Sequence, residues 1–302
     1  MASHATLHLI SGKGGVGKTY VAAALARQFA ARGDRTLLVS FDPVGHRHPL
    51  FDRVLAYEPA SVGEHLSLSC VDAREALLEY VRRRMSFSLV YETALKNPLV
   101  GRFLTALPIF EELMCLGKLY DLTTDPGSPY DRVVFDAPAT GHCQILLNIP
   151  GVAADTLLAG PVHRSALQIQ AMLQNPEITE LLIVTLAEET PVREAAMLAR
   201  YARETARVRV PALLVNRLVP QRFAGAGGLA IVERLRDAPM GDEIALAHAA
   251  VTLERSIAAE QADQVEALRA VIEADTQRII ELPEVIAEED SPFMAALETV
   301  AS

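Results

Sequence analysis

The stretch that decides the fold is TLHLIS (Thr6–Ser11), followed by GKGGVGKT at residues 12–19 and YVAAALARQFAARGD from Tyr20 to Asp34. An apolar run, a glycine-rich turn and an Ala/Leu-rich segment stopped at Gly33-Asp34 read as strand, loop and helix in that order. Four glycines strip side chains from the turn, so the backbone bends sharply and its N–H groups approach something bulky and rich in acceptors. A phosphate chain fits that description. Gly12, Gly17, Lys18 and Thr19 meet the spacing G-x-x-x-x-G-K-[ST], in which the lysine reaches the β- and γ-phosphates and the hydroxyl ligates Mg²⁺. The main chain of Gly14, Gly15, Val16, Gly17, Lys18, Thr19 and Tyr20 completes the expected cradle, and the helix N-terminus adds partial positive charge.

Working outward, strand-like runs recur at Thr6–Ser11, Arg35–Phe41, His65–Val71, Arg132–Asp136, Glu180–Leu186, Val208–Asn216 and Arg278–Leu282. Several are continuous Val/Ile/Leu runs, as expected when helices cover both faces of a sheet. The fold class is therefore α/β: a doubly wound, mostly parallel sheet with ligands at the carboxyl ends of its strands. Between about Asp72 and Asp131 the rhythm breaks into helix-like patterns such as AREALLEYVRRRM and PIFEELMCLGKLYDLT. Some sixty residues are too many for a simple crossover. They read as a helical subdomain, about 73–130 with part of 148–176, inserted into a single domain spanning 1–302. The stretch GAGG (Gly225–Gly228) reads as a flexible loop, and Ala245–Ala274 as one or two long amphipathic helices.

Composition narrows the partners. Half of the 302 residues are hydrophobic, yet no uninterrupted apolar stretch reaches the ~18 to 20 residues that span a bilayer. MASHATLHLI lacks a basic segment ahead of a cleavable apolar core, so no secretory signal is expected. Cys70, Cys115 and Cys143, odd in number and far apart, argue for a reducing, cytoplasmic setting rather than a disulfide framework. A net charge of −10 argues against nucleic acid or anionic lipid, both of which need clustered Lys/Arg. The cluster Arg82-Arg83-Arg84 sits in a helix-like stretch and reads as a solvated face.

Three further places carry polar residues at strand ends. Asp42 in SFDPVGHRHPLFD is either a turn residue before Pro43 or an active-site carboxylate. Asp136 closes the apolar run RVVFD, as a Mg²⁺-holding carboxylate does. Asn216 closes ALLVN; it suits a turn, or the N6/N7 edge of adenine, because it carries a donor and an acceptor side by side. In the following text of Asp136, APATGHCQILLNIP, His142 is either a structural hydrogen-bonded residue or a reporter of a switch. Cys143 is either a soft-metal ligand or a small half-buried residue. Lys13 alone reads as a solvated loop cation.

KGGVGKT resembles the deviant phosphate loop of the dimeric ATPases that include arsenite-pump ATPases, tail-anchored-protein targeting ATPases, and septum-placing and plasmid-partitioning ATPases. The resemblance implies ATP and Mg²⁺ as cofactors, with Lys13 crossing a dimer interface to the partner's nucleotide as an arginine finger does elsewhere. SFDPV resembles S-T-D-P-A of the arsenite-pump and targeting branch, which implies that Asp42 orients the attacking water; Phe41 replaces the Thr and Val44 the Ala. DAPATGHC resembles D-T-A-P-T-G-H-T, with Ala137-Pro138-Ala139 standing where the pattern has T-A-P. It implies that Gly141 offers its N–H to the γ-phosphate and loses it on hydrolysis. Val184, Thr185 and Glu188 match V-T-x-P-E-x-x-x-x-E-x-x-R, with Glu194 one position beyond its second Glu; Asn216 falls where the family contacts adenine, and RIIELPEVIAEED resembles its last strand and adenine-covering loop. The C-x-x-C zinc pair and Met-rich groove of the targeting branch, and the clustered cysteines and fused halves of arsenite pumps, have no counterpart in the sequence.

The resemblance thus implies a Mg²⁺-dependent ATPase acting as a nucleotide-gated homodimer, or heterodimer with a paralogous ATPase, that handles a client protein, an anion or a membrane partner. It would not itself be an integral membrane protein, and a DNA- or membrane-positioning role would call for basic residues that the tail SPFMAALETVAS lacks. The alternative is a slow or inactive nucleotide-binding switch that scaffolds such a paralogue. The expected catalytic residues are Asp42, Lys13 and Lys18, the metal residues Thr19 and Asp136.

Overall fold

The computed structural model describes residues 7–84, 110–156, 158–220, 223, 225–237, 241–272, 277–285 and 291–301. The chain opens with β1 (Leu7–Gly12) and α1 (Lys18–Ala31), then β2 (Thr36–Ser40), the short β3 (Arg47–His48) and β4 (Arg53–Val54), and β5 (Ala60–Gly63) and β6 (Leu66–Cys70). Helices α2 (Ala73–Arg84) and α3 (Phe110–Thr124) precede β7 (Arg132–Asp136), α4 (Thr140–Thr156), α5 (Pro161–Gln174), β8 (Thr179–Leu186) and α6 (Glu189–Tyr201). The remaining elements are β9 (Arg209–Leu218), α7 (Gly225–Arg236), α8 (Asp242–Val271), β10 (Arg278–Pro283) and α9 (Ser291–Ala301).

Eight strands form one sheet in the order β10-β9-β8-β1-β7-β2-β6-β5. All neighbours run parallel except the edge pair β5–β6, which is antiparallel. All seven runs read as strands are strands of this sheet. Side chains alternate between its faces, and both faces are apolar because helices roof both. Leu9, Val133, Phe135, Leu181 and Ile183 pack with Leu116 and Leu119 of α3, Leu146 of α4, Ile169 of α5 and Leu198 of α6. Ile10, Leu38, Val134, Leu182 and Val184 pack with Val21, Leu25 and Phe29 of α1 and with Phe293 and Leu297 of α9. The buried alanines Ala22, Ala23, Ala24 and Ala26 let α1 lie close on the sheet.

Register decides where the site falls. Ile10 and Ser40 both pair with Asp136, Gly12 with Val184, and Leu186 with Asn216, so the polar residues that close these strands stand along one edge. On the α4 side the helical layer extends outward, with α2 packed on α3 and α3 on α4 and α5. The expected helical insert, about 73–130, contains α2 and α3, while residues 85–109 between them lie outside the described ones.

Two features depart from the sequence reading. Gly225–Gly228 is not a loop but the start of α7: glycine is tolerated in a first turn, and LAIVERLR behind it is rich in helix formers. A Cβ at Gly228 would lie 1.9 Å from the Phe223 carbonyl oxygen, so a glycine is needed where the entering chain passes. The hairpin β3–β4 and strand β5 carried no sequence signal, being short and largely exposed. Ala245–Ala274 corresponds to one 30-residue helix, α8, whose buried Val265 and Leu268 dock its last turns on the sheet. Among the described residues no helix is long and apolar enough to cross a membrane.

Candidate functional site

The loop from Gly12 to Thr19 leaves β1 at the carboxyl edge and turns into α1. Two of its glycines are sterically required. A Cβ on Gly12 (φ +151°) would sit 2.0 Å from the Val184 carbonyl oxygen, and one on Gly17 (φ +93°) 2.5 Å from Nδ2 of Asn216. Asn216 closes the loop from β9: its Nδ2 donates to the Val16 carbonyl (2.9 Å) and its Oδ1 accepts from the Arg217 N–H (2.9 Å). Gly14 and Gly15 lie exposed at the tip. No side chain caps α1, and the N–H groups of a helix's first turn have no partner within the helix. The Tyr20 ring itself turns aside, edge-on to Phe293 at 5.1 Å.

Two side chains at the start of α1 face charge. The Thr19 hydroxyl donates to Oδ2 of Asp136 at 2.7 Å, and the Lys18 ammonium donates to the Lys13 carbonyl at 3.1 Å. Burial pushes the Asp136 carboxyl up to about 6, against the Thr19 hydrogen bond and the Lys18 charge and reinforced by Asp42. Burial also lowers the Lys18 ammonium, against the pull of Asp136 and Asp42. Desolvation therefore outweighs the attraction between the two groups on both sides. Asp42 lies exposed beyond β2, its N–H donating to Ser40 Oγ at 3.1 Å.

The donor set suits Mg²⁺. A hydroxyl and a carboxylate side by side are hard oxygen ligands, and Mg²⁺ typically takes one or two protein oxygens and completes its shell with phosphates and water. Among the described residues no cluster of three or more His, Cys, Asp or Glu is arranged to hold a metal by itself.

The segment after β7 is tied to β1. Ser11 Oγ donates to the Pro138 carbonyl (2.8 Å) and the Ala137 N–H to the Ile10 carbonyl (3.0 Å). Thr140, with Gly141 beside it, opens α4, so the Gly141 N–H lies in a first turn, where N–H groups have no partner within the helix. Phe41 inserts its ring edgewise between Phe135 (6.3 Å) and His142 (5.6 Å). His142 Nε2 lies 2.7 Å from Glu112 Oε1, which joins the first turn of α4 to α3 as a structural histidine would. Cys143 is not half-buried but fully buried, because one helical step turns it onto the sheet. Burial pushes its thiol up to about 11, and a neutral buried thiol is a poor metal ligand.

Lys13 is not a free loop cation. Its Nζ lies 3.1 Å from Glu194 Oε1 on α6, and Glu194 Oε2 accepts from the Thr140 hydroxyl at 3.2 Å. In the sequence Glu194 shows only as a carboxylate one position beyond a Glu of the resembled pattern, on a helix that starts at the same sheet edge. Beyond Asn216, a cavity of about 430 Å³ opens between Leu218–Pro220, Pro283 and α8. The expected adenine-covering loop is described only through Val285.

A parallel sheet carrying this loop, lysine, hydroxyl and strand-end aspartate at its carboxyl edge has the fold of a phosphate-loop nucleotide-binding protein. The model of the anion-transporting ATPase family matches residues 5–160, more than half of the chain, and the protein belongs to that family. The chain is 30% identical over 226 residues to ATPase BagA of Mycobacterium tuberculosis (71% of this chain, 65% of that protein). It is 28% identical over 233 residues to a putative arsenical pump-driving ATPase of Halobacterium salinarum (70% and 35%). It is 27% identical over 143 residues to ATPase ASNA1 homolog 1 of Paramecium tetraurelia (47% and 43%). The chain thus spans about two thirds of the length of the first of these relatives and less of the others.

Proposed function

We propose that the protein hydrolyses ATP with Mg²⁺ and works as a nucleotide-gated dimer. The observation that carries this reading is the 2.7 Å contact between Thr19 and Asp136 at the mouth of a glycine-rich loop. Thr19 and Asp136 would hold Mg²⁺, which when bound neutralises charge on the β- and γ-phosphoryl oxygens. Lys18 leaves the Lys13 carbonyl for the β/γ-phosphates, and the main chain from Gly14 to Tyr20 donates to phosphate oxygens. Asp42 accepts a hydrogen bond from a water and aims its oxygen at the γ-phosphorus; as that oxygen bonds to the phosphorus the bond from phosphorus to the bridging oxygen breaks, and the water's proton passes to the departing phosphate, leaving ADP and phosphate. Lys13 of one subunit stabilises the charge at the other subunit's site. Asn216 would contact the base through its second Nδ2 hydrogen, the first being given to Val16, as the family resemblance implies.

Hydrolysis would remove the acceptor of the Gly141 N–H and let the first turn of α4 shift. Because His142 joins that turn to Glu112, and α4 packs on α3 and α5, the shift passes to the helical layer, which handles a client protein or an anion. Similarity to arsenical pump-driving and ASNA1-type ATPases supports both options.

The test is calorimetry with a non-hydrolysable ATP analogue and Mg²⁺, with light scattering and phosphate release in parallel. Expected are saturable binding, doubling of mass, and turnover lost in Asp42→Asn with binding retained. Absence of any heat of binding to the unmodified protein overturns the reading.

A further inference from the structure

Glu194 touches both the glycine-rich loop and the start of α4. One carboxylate oxygen holds the Lys13 ammonium (3.1 Å) and the other accepts from Thr140, the first residue of α4 (3.2 Å). The Lys13 and Glu194 side chains are 34% and 35% exposed, whereas Thr140 is 7% exposed. Lys13 comes from the loop after β1, Thr140 from the segment after β7 and Glu194 from the helix after β8, and β7 and β8 flank β1. The carboxylate therefore sits where the two neighbouring loops meet.

We propose that Glu194 is a positioning residue that latches Lys13 inside its own subunit, and that its second oxygen makes release of Lys13 sensitive to the start of α4. This rests on the reading of Lys13 as a donor across a dimer. The physical case is competition. A lysine that must cross to another subunit's phosphates cannot also lie on Glu194, so every dimerisation event first breaks this pair. A pair one-third exposed is weakened by water and salt; it alters an equilibrium by a factor of about two to five, enough to bias Lys13 without trapping it. A triphosphate brings several negative charges against one, so the latch opens when nucleotide and partner are both present. If the Gly141 N–H turns toward phosphate, Thr140 moves with it, and Glu194 loses its second anchor as Lys13 departs. Phosphate sensing and lysine release are then linked through one carboxylate.

Glu194→Gln separates the two contacts, because the amide oxygen still accepts from Thr140 while the charge is gone. The sequence has four lysines, Lys13, Lys18, Lys96 and Lys118, so acylation by an amine reagent can be mapped residue by residue. In the nucleotide-free protein, an ammonium held by a carboxylate reacts slowly. Glu194→Gln is expected to raise the Lys13 acylation rate two- to fivefold and leave Lys118, paired with Glu79 at 2.6 Å, unchanged as the internal reference. The concentration of non-hydrolysable ATP analogue with Mg²⁺ that half-saturates the mass change should fall by a similar factor. Glu194→Asp, which restores the charge on a shorter stem, should return both values toward those of the unmodified protein and serves as the working variant if the Gln form does not fold. Unchanged Lys13 acylation, or a mass change with identical midpoints, overturns the latch alone. No mass change in any form despite measured analogue binding overturns the dimer reading and the latch with it.

Discussion

Asp131 and Asp136 stand at the two ends of one strand, β7, and their carboxyl groups are pulled in opposite directions. At the amino end, Asp131 receives the Arg35 side chain through Nε (3.0 Å) and a terminal nitrogen (2.8 Å), and also the Arg35 backbone N–H (2.9 Å). These bonds hold it down at about 2. At the carboxyl end, burial pushes Asp136 up to about 6. One edge of the sheet has its charges matched within the chain. The other keeps a carboxylate that its own protein under-neutralises, together with an uncapped helix and a lysine folded onto its own loop. The amino edge serves the fold, and the carboxyl edge is arranged for something multiply charged that is not part of the chain.

The sharpest way to break this comparison is to fill the carboxyl edge. In Gly12→Ala the new Cβ meets the Val184 carbonyl at 2.0 Å, and both backbone and neighbour must shift. A loss of about 3 to 5 kcal/mol in folding stability is expected by denaturant titration. Gly14→Ala, with nothing within 4 Å of its Cβ, should change stability by less than about 0.5 kcal/mol while weakening nucleotide binding. Equal stability losses in the two variants would contradict the geometry.

The next largest effect concerns Asp136. Its folded carboxyl binds a proton more tightly than the unfolded one, so its stability contribution is present below about pH 4 and lost as pH rises through about 6. In chelator and without nucleotide, Asp136→Asn should therefore be more stable than the unmodified protein at pH 8, by about 1 to 3 kcal/mol. The difference should close near pH 4. The same variant should lose the Mg²⁺ dependence of nucleotide binding. Melting curves at three pH values decide it: a variant less stable at pH 8 would show that the site is not under-neutralised.

How much of this was legible depends on distance along the chain. The strands were legible because long Val/Ile/Leu runs such as LLIVTL mark a sheet covered on both sides, and the loop because its spacing is local. The carboxyl edge could be read from Asp42, Asp136 and Asn216, each closing an apolar run. The opposite fates of Asp131 and Asp136 were not, since both are aspartates flanking the same apolar segment and only folding supplies Arg35 to one and burial to the other. Glu194 was equally hidden, because its partners Lys13 and Thr140 arrive through strand order. The misreading of Gly225–Gly228 arose from treating glycines as loop markers where they begin a helix.

Phe41 sharpens the comparison from the packing side. It replaces a threonine of the resembled pattern, and its ring lies against Phe135 and His142. Such edge contacts each contribute about 0.5 to 1.5 kcal/mol beyond area burial. Phe41→Thr should cost about 1 to 2 kcal/mol and loosen the first turn of α4, read as faster amide exchange at His142 and Cys143. Unaltered exchange there would mean that the ring fills space without bracing the switch.

The smallest effect belongs to the amino end, and it is the control on which the comparison depends. Asp131 is depressed, so its contribution is present above about pH 4 and is lost as pH falls through about 2. Its side chain is 42% exposed and that of Arg35 57%, so solvent screening leaves little of the attraction. Asp131→Asn should lower stability only slightly at pH 7, converge with the unmodified protein near pH 2, and leave nucleotide binding untouched. Salt should shrink the difference further, because an exposed pair is screened within a Debye length of about 8 Å at physiological ionic strength. The Asp136 effect, set chiefly by burial, should respond to salt far less. If both variants answered pH and salt in the same direction, the two ends of β7 would not be electrostatically distinct, and the carboxyl edge would have no stronger claim on a charged ligand than the amino edge.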